Sequence, residues 1–311
     1  MAITENLKME NIFGYFSKGI KPVYYTLIDW INLKKSKNND IKNIETVCLI
    51  LGPYRNLTTF FSSILFLHPD CQVLNHAGRR VHGNKNIDFL SNYSKEVFDD
   101  FIRFSLEVSS RGERGFYGGS ILLSHAFESK ILKSFYTTQK NKSTIKALVW
   151  KESLLNTNLI RSDEFEFDNL LIKEKKLKFI LPIRNPLDCT YSNIKTGHAK
   201  LFEGITDEST TFHVLEKVID EIYWFAKKKE KFPNRFFYFF EQDISKNILI
   251  ELTSFLNIQE NIKWISNAEK IIINKSNYKY EDDVLNFYKD LISTKFYRFP
   301  TVMKKLKYFC Q

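Results

Sequence analysis

The sequence predicts an α/β fold with a mostly parallel central sheet flanked by helices. Three observations predict it: apolar runs of strand length recur along the chain, helical apolar patterns separate them, and polar residues follow each run. Parallel strands need helical crossovers of this kind. The polar residues should therefore meet at the carboxyl edge of the sheet, where ligands of such folds bind.

The run at residues 47–51 is apolar and continuous, as in a central strand that is covered on both faces. A Gly-Pro pair ends it, and an apolar helix opens at Thr58 and Thr59. A loop between a strand and the amino end of a helix offers N–H groups and a positive dipole end to an anion. Arg55 adds a cation to this loop.

The other elements follow in order along the chain. We expect strands at 72–75, 145–150, 177–183 and 235–240, and helices at 87–107, 120–136, from Pro186, 210–231 and 245–256. The glycine-rich stretch 109–119 is interpreted as a mobile loop, which is either a substrate lid or a plain connection. Residues 1–45 are expected to form an N-terminal helical extension, and residues 46–311 a single α/β domain.

The composition is that of a globular protein, with 43% hydrophobic and 26% charged residues in 311. The net charge of +10 favours anionic partners, although lysines scattered over a solvated surface account for most of it. The four cysteines are far apart and lack metal-binding spacing, which favours free thiols in a reducing compartment.

A cytoplasmic location is expected, because the chain has no uncharged apolar run of about 18 residues and its start lacks a signal-peptide layout. Residues 9–33 combine aromatic residues with lysines. A helix there could make a peripheral contact with a membrane surface. The favoured alternative is a helix that packs on the domain.

Residues 52–59 fit the nucleotide-triphosphate loop G-x-x-x-x-G-K-[ST] only in part. Gly52 and Thr59 match, whereas Leu57 and Thr58 replace the second glycine and the lysine. Without that lysine, no group reaches the β- and γ-phosphates, so hydrolysis of ATP or GTP is not expected.

Residues 52–60, G-P-Y-R-N-L-T-T-F, resemble the 5′-phosphosulfate loop of sulfotransferases, whose pattern is roughly G-P-P-R-S-G-T-T-L. The family's second nucleotide motif is an Arg at a strand end with a Ser eight residues later. Residues 184–192, R-N-P-L-D-C-T-Y-S, are similar to it. The chain departs from the first pattern at Asn56, where Ser is usual, and at Leu57, where Gly is usual.

The resemblance covers about residues 47–250, with local likeness to bacterial and protein-tyrosine sulfotransferases at 67–73. The position of the catalytic Glu in the tyrosine enzymes is held here by His76. Residues 150–153, W-K-E-S, are similar to the family's K-[DET]-P stretch. Residues 237–243, F-Y-F-F-E-Q-D, are similar to its Y-E-D-L strand end.

The resemblance implies a P-loop-like sulfotransferase fold and sulfuryl transfer from 3′-phosphoadenylyl sulfate (PAPS) to an acceptor hydroxyl or amine. The aromatic content would suit a sugar, a phenol or a lipid headgroup equally, and a carbohydrate or glycan is one candidate acceptor. The implied donor-binding residues are Arg55, Asn56, Leu57, Thr58, Thr59, Arg184 and Ser192. The implied catalytic residues are Arg55, His76 and Lys151. His76 would be the base, Lys151 would neutralise the sulfuryl oxygens, and no metal is expected.

Several alternatives stay open at this point. Glu152, His125 and His198 are rival bases, and Arg79 with Arg80 could bind an anionic acceptor. Two other functions compete: a nucleotide-dependent kinase with a degenerate loop, and a non-catalytic binder of polyanions. No nucleic-acid partner is expected, and the sequence leaves the oligomeric state open.

Overall fold

The structure is a computed structural model, and it describes residues 26–110, 118–137, 142, 144–271 and 278–310. The strands of its central sheet are β1 (Thr46–Ile50), β2 (Cys71–Asn75), β3 (Gly119–Ser120), β4 (Ala147–Lys151), β5 (Leu177–Ile183) and β6 (Phe236–Phe240). Their order across the sheet is β3-β2-β4-β1-β5-β6. All neighbouring strands are parallel except β2 and β3. The predicted α/β class with a mostly parallel sheet is confirmed.

Helices surround the sheet. They are α1 (26–36), α2 (Thr58–Phe66), α3 (Gly78–Val81), α4 (Lys95–Ser109), α5 (Lys130–Thr137), α6 (Leu154–Ser162), α7 (Glu164–Lys173), α8 (Pro186–Lys195), α9 (Thr211–Lys231), α10 (Lys246–Phe255), α11 (Ile262–Ile271), α12 (Asp282–Lys295) and α13 (Pro300–Lys307). Helices α6 and α7 lie in a stretch for which the sequence predicts no element.

The predicted helix at 87–107 is wrong in its first half, because α4 begins only at Lys95. The carboxylate of Asp88 accepts hydrogen bonds from the N–H groups of Gly83 and Ser91, at 2.7 and 3.3 Å, and so stabilises a turn. Ser94 then caps α4 by accepting from the N–H of Val97 at 3.2 Å. Local side-chain bonds of this kind outweigh apolar spacing.

The predicted helix at 120–136 is also wrong as a single element. Short 3₁₀ turns occupy Ile121–Leu123 and His125–Glu128, and α5 follows. Ser124 and Ser129 have extended backbones, with ψ of 155° and 126°, and they interrupt the helix. In the glycine-rich stretch, residues 111–117 lie outside the described residues, and its end forms the unpredicted antiparallel strand β3 at the edge of the sheet.

Both faces of β1 are buried, as the apolar run predicted. Val47 and Leu49 join a core under α4, α7, α9, α12 and α13, whereas Cys48 and Ile50 join a core under α2, α10 and α11. Cys48, Cys71 and Cys189 are free and buried.

The described part of the N-terminal extension is held against the domain by polar contacts. Arg80 Nε donates to Asp29 Oδ1 of α1 at 2.8 Å, and Arg103 Nη1 donates to the carbonyl of Asn39 at 2.8 Å. Trp30 of α1 is 52% exposed. Residues 1–25 lie outside the described residues, so the membrane contact predicted for 9–33 stays a prediction. Among the described helices, none combines the length and the apolar content needed to cross a bilayer.

Candidate active site

The loop between β1 and α2 turns through left-handed backbone conformations. Gly52, Arg55 and Leu57 have φ of 96°, 63° and 59°. A Cβ on Gly52 would lie 2.2 Å from Leu181 Cδ1, so any other residue would displace Leu181 and strain the backbone. Leu57 adopts the backbone for which the sulfotransferase pattern uses Gly, at a cost of about 1–2 kcal/mol for a non-glycine residue. The departure at this position therefore strains the loop and leaves its turn in place.

Contacts from β5 and α8 hold this loop. Asn56 is 1% exposed, its Oδ1 accepts from the N–H of Arg184 at 2.9 Å, and its Nδ2 donates to the carbonyl of Pro182. Asn193 Nδ2 donates to the carbonyl of Tyr54 at 2.7 Å. The Asn56 side chain is thus used within the protein, and its predicted contact with a donor would have to come from its backbone.

The two predicted nucleotide motifs meet in space. Arg55 Nε donates to Ser192 Oγ at 2.9 Å, across 137 positions of sequence. Arg184 Nη1 donates to the carbonyl of Arg55 at 3.4 Å. Two guanidinium groups and a serine hydroxyl from separate segments therefore lie at one edge of the sheet.

A cavity of about 130 Å³ lies against these residues. Its lining includes five of the predicted donor-binding residues: Arg55, Leu57, Thr58, Thr59 and Arg184. The Thr58 side chain is buried, and Ser153 Oγ donates to its hydroxyl at 3.0 Å. The cavity joins hydroxyl groups and cations, which is the chemistry that an anionic group needs.

A second cavity, of about 220 Å³, shares Arg55, Thr58, Thr59 and His125 with the first. It is also lined by Tyr54, Asn75, His76, Ser124, Lys151 and His198. All three predicted catalytic residues therefore line one cavity, and that cavity adjoins the predicted donor site.

The backbone of His76 is fixed by β4. Its N–H donates to the carbonyl of Lys151 at 2.8 Å, and its own carbonyl accepts from Trp150 Nε1 at 2.6 Å. These bonds hold a left-handed backbone, with φ of 59°. The imidazole Nε2 lies 3.4 Å from Lys151 Nζ, and Nδ1 lies 3.8 Å from Glu152 Oε1. Each ring nitrogen thus faces a charged group.

Lys151 is 2% exposed, and burial lowers the pKa of its ammonium to about 8, although Glu152 opposes this shift. Glu152 is itself buried, and its Oε2 accepts from the N–H of Gly78 at 2.8 Å. Because Glu152 is absent from the residues that line the cavity, the structure places it behind His76, where it can orient the imidazole.

The other two histidines lie on the outer wall of the cavity. The rings of His198 and Tyr54 are 5.4 Å apart, and His198 Nδ1 lies 2.6 Å from Thr196 Oγ1. Burial, together with the positive charges of Arg55 and Lys151, lowers the pKa of His198. His125 is exposed and lines both cavities, so both histidines remain alternatives to His76.

The prediction that Arg79 and Arg80 together bind an acceptor is wrong for Arg80. Arg80 is only 8% exposed, pairs with Asp29, and donates from Nη1 to the carbonyl of Gly118 at 3.3 Å. Arg79 is exposed, and its role stays a prediction.

Sequence reasoning missed Asn75 and Ser124, which line the second cavity at 2% and 5% exposure. Asn75 Oδ1 and Ser124 Oγ are buried without a hydrogen-bond partner among the described residues. Unpaired buried groups are costly and often mark a place for a ligand or a water molecule. Asn75 directly precedes His76 at a strand end and could have been found on that ground, whereas no pattern pointed to Ser124.

The sequence matches no family model and no curated protein. Solved structures do resemble the chain in fold. The mouse sulfotransferase SULT7A1, complexed with PAP, is 11% identical, with 89% of this chain and 92% of that one covered and a TM-score of 0.42. The sulfotransferase domain from the curacin biosynthetic pathway is 16% identical, with 80% and 98% covered and a TM-score of 0.40. A sulfotransferase from Alicyclobacillus acidocaldarius is 12% identical, with 83% and 95% covered and a TM-score of 0.42.

All three are sulfotransferases. At this identity and TM-score the likeness carries no argument about this chain, so any activity has to be supported by the contacts of this chain's own residues.

Proposed function

We propose that the chain is a sulfotransferase that moves a sulfuryl group from PAPS to an acceptor hydroxyl. The observation that carries the proposal is the bond from Arg55 Nε to Ser192 Oγ, at 2.9 Å. It brings together the two segments that resemble the family's nucleotide motifs, and it does so beside a cavity that holds the predicted catalytic residues.

The donor has anionic groups at both ends of its ribose, and the chain offers cations and hydrogen-bond donors for each of them. The loop at 52–59 leads into the amino end of α2, where the first N–H groups lack partners within the helix. Thr58, Thr59 and Arg55 would bind the 5′-phosphosulfate at this end. Arg184 and Ser192 would bind the 3′-phosphate, which distinguishes PAPS from ATP.

The donor supplies an electrophilic sulfur with a phosphate leaving group. In the proposed transfer, the acceptor oxygen forms a bond to sulfur while the bond from sulfur to the 5′-phosphate oxygen breaks. Arg55 and the two threonines would stabilise the charge that develops on the phosphate. The Lys151 ammonium would turn from His76 to the sulfuryl oxygens. His76 Nε2, which already faces Lys151 Nζ at 3.4 Å, would then accept the acceptor's proton.

A carbohydrate is the acceptor class that we propose. The reacting hydroxyl would lie at His76, and further hydroxyls could pair with the buried oxygen atoms of Asn75 and Ser124, which lack partners among the described residues. A simple phenol has one hydroxyl and would leave both atoms unpaired.

Thermal stability with added nucleotides tests the donor. 3′-Phosphoadenosine 5′-phosphate (PAP) at 100 times its dissociation constant should stabilise the fold by about 2.7 kcal/mol. Stabilisation by ATP and not by PAP, with Mg²⁺-dependent turnover of ATP, would favour the kinase instead. Salt-steep binding of polyanions that survives Arg55→Ala would favour a non-catalytic binder. Arg184→Ala should abolish the preference for the 3′-phosphorylated nucleotide.

A further inference from the structure

A short C-terminal segment, residues 278–281, packs against α8, the helix that carries Ser192. The hydroxyl of Tyr280 donates to Asp188 Oδ1 at 2.5 Å and accepts from Asn185 Nδ2 at 3.1 Å. The rings of Tyr280 and Tyr191 are 5.8 Å apart, and the Tyr191 hydroxyl donates to Glu281 Oε2. The segment therefore contacts α8 along the turns between the two residues of the second nucleotide motif.

Asp188 connects this segment to the predicted donor site. Its carboxylate is 2% exposed; Oδ1 accepts from Tyr280, and Oδ2 accepts from Arg184 Nη2 at 3.2 Å. The side chain of Arg184 is 19% exposed, and its other terminal nitrogen reaches the carbonyl of Arg55. A continuous chain of hydrogen bonds thus runs from Tyr280 through Asp188 and Arg184 to Arg55.

We infer that Tyr280 is a positioning residue that governs how strongly the site binds a phosphate through Arg184. A buried carboxylate attracts whichever donors face it, because few groups are available to replace water. The Tyr280 hydroxyl occupies one oxygen of Asp188 and so limits the pull of that carboxylate on the guanidinium. Without this hydroxyl, Asp188 binds Arg184 more tightly and draws it away from a ligand in the cavity.

This inference rests on the proposed donor. It adds to the donor site a part of the chain that lies outside the sequence resemblance. The resemblance ends near residue 250, and Tyr280 lies in the stretch just before α12. α12 packs in the same core as β1 and β5. The C-terminal region would then set the orientation of a nucleotide ligand as well as contribute to the core.

The test compares the affinities of PAP and adenosine 5′-phosphate by calorimetry, because these two nucleotides differ only in the 3′-phosphate. Tyr280→Phe should weaken PAP binding about fivefold, because Asp188 then competes more strongly for Arg184, and should leave the affinity for adenosine 5′-phosphate unchanged. Tyr297→Phe, at a tyrosine that is 70% exposed, serves as the matched control and should change neither affinity.

A double-mutant cycle separates positioning from a general loss of packing. If Tyr280 acts through the charge of Asp188, Tyr280→Phe should have no further effect on PAP affinity in an Asp188→Asn background. The inference would be overturned if Tyr280→Phe weakened the binding of both nucleotides equally or left the PAP affinity unchanged. Additive effects in the cycle would overturn it as well. A wild-type chain that binds PAP no more tightly than adenosine 5′-phosphate would overturn the proposed donor as well.

Discussion

His76 Nε2 and Lys151 Nζ lie 3.4 Å apart. Lys151 is the last residue of β4, and His76 directly follows the neighbouring strand β2. A hydrogen bond between these atoms needs one lone pair and one proton. With the lysine charged, the imidazole nitrogen must be the acceptor. In the proposed function, this contact pairs the base with the cation that sulfuryl transfer to a hydroxyl would use.

Sulfuryl transfer should slow as the pH rises through about 8, because the pKa of Lys151 lies there and its ammonium is then lost. Lys151→Met should be slow at every pH and should lack this alkaline decrease. Initial rates from pH 6 to 9.5 at saturating donor would measure both profiles. An alkaline decrease that persists in Lys151→Met would assign it to another group.

The same lysine predicts a pH dependence of stability. Its pKa in the folded chain is about 8, below the ordinary value of 10.5, so the unfolded chain binds more protons between these two pH values. The free energy of unfolding of the wild type should therefore rise, relative to Lys151→Met, from pH 8 to 10.5. The gain is about 3 kcal/mol at roughly 1.4 kcal/mol per pKa unit. Parallel urea titrations would measure it, and a constant difference would contradict burial of the charge.

His76→Asn should lower kcat by about 10²–10⁴-fold, the usual contribution of a general base, and leave PAP affinity unchanged. Asn tolerates the left-handed backbone at this position, and the bonds from Trp150 and Lys151 to that backbone do not involve the side chain. His125→Asn and His198→Asn serve as comparisons. If the large loss of kcat follows either of those instead, the base has been assigned to the wrong residue.

Leu57→Gly should change the free energy of unfolding little. Relief of about 1–2 kcal/mol of left-handed strain is offset by about 0.4–1 kcal/mol for the greater freedom of glycine in the unfolded chain. Leu57→Ile should destabilise, because a β-branched side chain tolerates φ of 59° poorly. Chemical denaturation would rank the three chains. Equal destabilisation by both changes would show that packing of the Leu57 side chain outweighs its backbone strain.

Gly52→Ala should destabilise the fold and weaken PAP binding, because the new methyl group would lie 2.2 Å from Leu181 Cδ1. In a Leu181→Ala background the same change should cost less, since the obstructing atom is gone. The backbone strain at φ of 96° would still remain. Denaturation of the four chains of this cycle gives the coupling energy, and additive effects would show that the methyl contact is unimportant.

The structural features predicted most reliably from the sequence are those that depend on neighbouring residues along the chain. The apolar run of β1, the turn at Gly52 and the start of α2 are local, and all are found. The boundary of α4 was missed because Asp88 and Ser94 use their side chains to make local hydrogen bonds. Apolar spacing contains no information on such bonds.

In the candidate site too, contacts that follow from local spacing were predicted, and contacts with distant partners were not. The spacing of Arg184 and Ser192 predicted that they lie together, and the structure places them with Arg55. The roles of Asn56 and Arg80 depend on distant partners, Pro182 and Asp29, that no spacing rule identifies. Tyr280 was out of reach for the same reason, since only the folded chain brings it to Asp188.

The two backbone bonds that β4 makes to His76 have a consequence for how this site can diversify. In the proposed reaction, these bonds would join His76 and Lys151 to the middle of the sheet as one rigid unit, separate from the side chains of Ser124, His125 and His198 that line the same cavity. With His76 as the base, substitutions at those three residues would change which hydroxyl is accepted and leave the geometry of proton removal as it is. The proposed site would thereby separate the chemistry of the reaction from the choice of acceptor, so that new acceptor specificities could be selected without a change in the reaction.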